Sequence, residues 1–192
     1  DGDGDGDGNT RSSESPNEIK ATNTDFELAL SEQGDALSTG TTYSFDNWGF
    51  WASQGSQTLY SVGIRGNGSN VTPYSLHVEG TPSDMNPSSG SAVWSGGLRA
   101  YETDNDSLGV PVSGEVRLEV DFSSSTLDID FTNLTEDHND MAWRELDIIN
   151  GTFRHDSGAE FIDGAFYGDD HEGAGGKFEQ GRLRGVFGTI RE

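Results

Sequence analysis

The chain has 192 residues, room for one domain plus a tail, and its hydrophobic fraction of 31% is low for a globular protein. Its formal net charge is -23, with Lys20 and Lys177 as the only lysines, so phosphate backbones and anionic head groups are repelled; nucleic-acid binding and charge-driven membrane adsorption are disfavoured. The absence of cysteine excludes disulfides, thiolate metal sites and a cysteine nucleophile, and no apolar run is long enough for a membrane-spanning helix.

Residues 1–24 read as a flexible acidic leader rich in Asp, Gly and Ser. Their one large aliphatic side chain, Ile19, cannot bury enough surface to offset the entropy of ordering. The Asp-Gly repeat over residues 1–8 alternates carboxylates with glycines as calcium loops do. A calcium site, however, needs about 6–8 oxygens and a bidentate acid at a fixed later position, which does not follow here. The repeat therefore reads as a solvated tether. The start on Asp1 without an initiator Met fits either a processed mature form, which leaves export open, or a chain trimmed from a longer one.

The domain is expected over residues 25–192. Phe26-Glu-Leu-Ala-Leu30 opens it, and Tyr43-Ser-Phe-Asp-Asn-Trp-Gly-Phe-Trp51 and Thr58-Leu-Tyr-Ser-Val-Gly-Ile64 follow as aromatic-rich strands. Tyr74-Ser-Leu-His-Val78 and the strand from Ser91 to Tyr101 flank a Pro-containing turn at Thr81-Pro-Ser-Asp-Met-Asn-Pro87. In Val116-Arg-Leu-Glu-Val-Asp-Phe122, Val116, Leu118, Val120 and Phe122 share one face and the charged residues the other. Leu127-Asp-Ile-Asp-Phe131 repeats the alternation after a serine turn, which predicts an antiparallel hairpin buried on one side. Later strands are expected at 146–149, 151–154, 161–167, 175–178 and 184–190. With about eight to ten strands and no helical periodicity, the chain is expected to be all-β: a single eight-stranded antiparallel up-and-down β-barrel, whose last strand pairs with its first and so removes open edges.

Two blocks carry a family resemblance. The first is Gly80-Thr-Pro-Ser-Asp-Met-Asn-Pro-Ser-Ser-Gly-Ser-Ala-Val-Trp-Ser-Gly96 with Val120-Asp-Phe-Ser-Ser-Ser-Thr-Leu127. The second is Gly164-Ala-Phe-Tyr-Gly168, Glu172, Gly175-Gly-Lys-Phe178 and Gly185-Val-Phe-Gly188. In this order, over roughly residues 80–192, they resemble the β-barrel domain of transferrin-binding protein B and related bacterial surface lipoproteins. Read physically, the glycines mark bends or close backbone approach, and Phe166, Phe178 and Phe187 fill the barrel core.

The resemblance implies a non-enzymatic binding protein, on the bacterial outer-membrane surface or secreted, that captures a protein or a haem or iron-related ligand through loops at the barrel rim. It also leaves room for a lipid anchor upstream of Asp1. The alternative is a structural or adhesive subunit that self-assembles outside the cell. No nucleophile elbow, His-Glu-x-x-His helix or phosphate-cradling loop is present, so the residues point to no enzyme and no resident cofactor, with haem entering only as a ligand.

Two sets of residues are candidates for ligand contact. Among His77, His138, His155 and His171, the pair His138 and His155 falls in apparent loops, and these with Met141 are side-chain types that ligate haem iron axially. The plainer reading, a solvated loop histidine, is the one the residues favour. The second set is Trp48, Phe50 and Trp51. Alternation puts Trp48 and Phe50 on one face and Trp51 on the other, so at least one ring faces outward and is a candidate protein-binding anchor; the plainer reading, a Trp that plugs a barrel end or packs under a loop, is the one the residues favour.

Overall fold

The computed structural model describes residues 17–23, 26–34, 47–65, 75–104 and 107–192, with side chains described at 50–64, 76–102 and 111–192. Its described residues form strands and turns without a helix. Five strands make one open sheet in chain order: β1 (Asn17–Asn23), β2 (Phe26–Gly34), β3 (Asn47–Gln54), β4 (Gln57–Arg65) and β5 (Ser75–Gly80). Eight more close into a barrel: β6 (Val93–Asp104), β7 (Ser107–Asp121), β8 (Thr126–Thr132), β9 (Met141–Ile149), β10 (Thr152–Asp156), β11 (Glu160–Tyr167), β12 (Gly173–Gln180) and β13 (Leu183–Arg191). All neighbours are antiparallel, and the seal is β13 against β6, in register from Leu183↔Glu102 to Arg191↔Trp94.

The eight-stranded antiparallel barrel is as expected, and so is the hairpin of β7 and β8, which pairs Glu115↔Thr132 through Asp121↔Thr126. Its serine turn is held by the Asp121 carboxylate, which accepts from the Ser123 N–H and hydroxyl at 2.8 and 2.7 Å; these bonds hold the carboxyl below its usual range. The barrel, however, takes its strands only from Val93 onward. The aromatic-rich strands β3 and β4 lie in the separate sheet, which reaches back to β1 inside the stretch read as leader. An amphipathic strand reports one buried face, and the surface that buries it is a tertiary matter.

The lumen is a packed aromatic core. Phe131 lies 4.8 Å from Phe178 and 5.1 Å from Trp143, ring centre to ring centre, and Phe153, Phe166 and Phe187 complete the layer. Phe166, Phe178 and Phe187 are fully buried, as their spacing predicted. Outward positions on β7, β8 and β9 carry Arg117, Glu119, Asp128, Asp130, Arg144 and Asp147. An apolar lumen inside a charged exterior inverts the pattern of a membrane-spanning barrel.

Part of the exterior over β11, β12, β13 and β6 is apolar instead, and there the sheet docks. Phe50, Ala52, Tyr60, Val62 and Ile64 pack on Tyr101, Ala165, Tyr167, Val186 and Ile190. The closing-strand glycines make this approach close enough: a Cβ on Gly175 would stand 2.6 Å from Tyr60 Cε2, and one on Gly188 2.8 Å from Phe50 Cβ. The Tyr60 hydroxyl accepts from the Thr189 N–H at 2.7 Å. It also lies 2.7 and 3.0 Å from the carbonyls of Thr189 and Ala174, donating its single proton there. Burial pushes the Tyr60 phenol far above its ordinary value of 10.0, and burial with the nearby Asp163 carboxylate pushes Tyr167 up to about 12.

Candidate functional site

Antiparallel connectivity gives the barrel two ends. One, the floor, gathers the connections 122–125, 150–151 and 168–172 and is crossed by residues 81–92. This strap is tied down along its length. Ser83 donates its backbone N–H to the Phe166 carbonyl at 2.8 Å. Asn86 bridges the β9–β10 turn, giving its amide to the Ile148 carbonyl at 2.6 Å and accepting from Gly151 at 3.0 Å. His171 Nε2 is 2.8 Å from the Met85 carbonyl, so it carries the proton and donates there, while Ser83 Oγ sits 3.1 Å away. Trp94 Nε1 donates to the His171 carbonyl at 2.7 Å. Arg191 lies 4.9 Å over the Trp94 ring and gives its guanidinium protons to the carbonyls of Ser89, Ser91 and Asp170.

The opposite end, the mouth, includes the connections 133–140, 157–159 and 181–182. Here Glu102, His138, Asn139, Asp140, Met141, Gln180, Gly181, Arg182 and Leu183 line an open cleft of about 340 Å³. They come from the end of β6, the β8–β9 loop and the β12–β13 hairpin. Closure of β13 on β6 brings Leu183 opposite Glu102, and it is this pairing that makes the cleft. Met141 and Leu183 are buried and form its apolar wall, and the carboxylate of Glu102 has His138 Nε2 at 3.5 Å and Arg182 Nη2 at 3.9 Å. Gln180 donates its side-chain amide to Glu160 at 3.0 Å, whereas its buried Oε1 has no hydrogen-bond partner among the described residues.

Of the residues singled out in the sequence, His138 and Met141 meet in this cleft. His155 shares the inward face of β10 with Phe153 and pairs across to Ile162 in the mouth half of the barrel, but it does not line the cleft. Phe50 is 4% exposed and is used in packing the sheet on Gly97 and Gly188, so its ring is closed to an outside ligand. Trp51 is half-buried on the other face of β3. The backbone of Trp48 pairs with Ile64, and its side chain lies outside the described residues. Glu102, Gln180, Arg182 and Leu183 had no signal in the sequence: each is an ordinary strand-end or turn residue until the barrel closes. Among the described residues no three acidic or histidine side chains converge as a metal site.

A water-facing barrel with a packed lumen, one sealed end, one cleft-bearing end and a sheet docked on its wall is a rigid scaffold that presents loops. The chain belongs to the family of the C-lobe and N-lobe β-barrels of Tf-binding protein B, which it matches over residues 86–191. In overall fold it is similar to HpuA from Kingella denitrificans, solved in complex with human haemoglobin, at 15% identity and a TM-score of 0.51 over 93% of this chain and 91% of that one. The apo structure of the haemoglobin receptor HpuA from the same organism gives 13% identity and a TM-score of 0.51 over 91% and 82%. No curated protein matches the chain significantly.

Proposed function

We propose that this protein is a non-enzymatic binding protein, displayed on the surface of a bacterium or secreted, that captures a protein or a haem-related ligand at the barrel mouth. The observation that carries this is the asymmetry of the two ends. The floor's polar groups are spent on the strap, whereas the mouth presents a cleft built from a strand end and two connections on a rigid barrel, and loop variation on a fixed barrel is how such scaffolds vary their partners. Membership of a family named for transferrin binding and a fold shared with a haemoglobin receptor support capture of an external protein. The charge of -23 opposes packing of copies against one another, so capture is preferred to self-assembly.

The experiment is surface immobilisation of the full chain and exposure to haemoglobin, transferrin and haemin in turn. A second protein, with residues 133–140 replaced by a short Gly-Ser linker, is run beside it. Capture by the first and loss in the second is expected; equal capture by both would refute the mouth as the binding site.

A further inference from the structure

We propose that the mouth cleft recognises a cationic side chain of the captured protein, and a guanidinium in preference to an ammonium. This rests on the reading above and names the chemistry of that same site. The polar wall of the cleft includes two carboxylates, Glu102 and Asp140, beside Gln180. Gln180 donates one amide N–H to Glu160 while its carbonyl oxygen is buried without a partner among the described residues, an arrangement that an incoming N–H donor completes. Glu102 has further capacity, since its two cationic neighbours stand at 3.5 and 3.9 Å, longer than a normal charge-assisted hydrogen bond.

Arg182, with a side chain 66% exposed, shows that a guanidinium approaches this carboxylate from the solvent side, and a better-placed one would displace that long contact. Met141 and Leu183 supply an apolar wall for the stem and flat face of an arginine, and a volume of about 340 Å³ lies at the small end of ligand sites. Steering follows from the charge of -23 and from Glu136, Asp137 and Asp140 on the adjoining loop. Haem fits less well: its propionates would meet Glu102 and Asp140, and its wide apolar plane would find only Met141 and Leu183.

The test is methyl NMR of the full chain labelled at Met and Leu, titrated with N-acetyl-arginine-methylamide, its lysine counterpart and haemin in separate arms. The chain has two methionines, and Met85, exposed on the floor, serves as the internal control. The arginine probe should shift Met141 and Leu183 saturably and leave Met85 still. Glu102→Gln should weaken this about tenfold, the loss of one charge-assisted hydrogen bond, with Gln180→Met weakening it too and unfolding midpoints unchanged. Weaker shifts with the lysine probe complete the expected pattern, and equal shifts would overturn the preference for guanidinium. No saturable shift at Met141, or one that Glu102→Gln leaves unaltered in a folded protein, would overturn the inference. Haemin moving Met141 with a Soret change while arginine does nothing would also overturn it and leave capture at the mouth standing. Haemoglobin captured equally with residues 133–140 replaced would instead refute the mouth as the capture site.

Discussion

The two ends of the barrel are made of the same strands and differ in what their polar groups touch. At the floor, Trp94, His171, Arg191 and Asn86 each meet a backbone carbonyl at hydrogen-bond distance and pin residues 81–92 across the opening. At the mouth, the ion pairs of Glu102 are long and Gln180 keeps a buried acceptor without a partner among the described residues. The contrast teaches that the polar groups of one end are used in closure while acceptor capacity is left at the other. The side wall over β12 and β13 behaves like the floor, because Tyr60 and Phe50 already occupy it.

The largest effect should come from breaking the floor. Trp94→Ala removes a fully buried ring that packs 5.0 Å from Phe166 and carries the bond to His171, and it should cost about 3–5 kcal/mol in denaturant unfolding. Next, Gly175→Ala drives a methyl into Tyr60. It should destabilise by about 1–3 kcal/mol and loosen the sheet from the wall, seen as faster amide exchange in β4 than in β8.

Alkali gives a gentler lever. The Tyr60 and Tyr167 phenols are both raised in the folded protein, so the fold holds protons that the unfolded chain releases. Their contribution is whole below about pH 10 and is lost as pH rises above that, through about 12 for Tyr167. The unfolding midpoint should fall between pH 9 and 12, and less steeply in Tyr60→Phe. The smallest effect should be at the mouth, where Glu102→Gln should change stability by less than about 0.5 kcal/mol. A loss there as large as at the floor would erase the contrast between the two ends.

The sequence carried much of the barrel and little of the site. The strict alternation through residues 116–131 announced a hairpin with one wet face, and β7 and β8 form it. The glycines and phenylalanines of the last thirty residues announced closure, and Phe178 and Phe187 lie in the lumen. Alternation in Trp48 to Trp51 was equally visible but ambiguous, because a ring facing a barrel wall and a ring facing a ligand leave the same period. His138 and Met141 stood out by residue type, whereas Glu102, Gln180 and Leu183 did not, since nothing in their neighbourhoods distinguishes them from solvated strand ends.

By itself the sequence determined the class of the fold, the inward phenylalanines and the acidic field, because strand period and charge are properties of neighbouring residues. Tertiary structure alone decided that β1 to β5 form a sheet outside the barrel, that Tyr60 locks it to the wall, and that Glu102 and Gln180 share a cleft. The last two join segments far apart in the chain, and the cleft exists only once β13 pairs with β6.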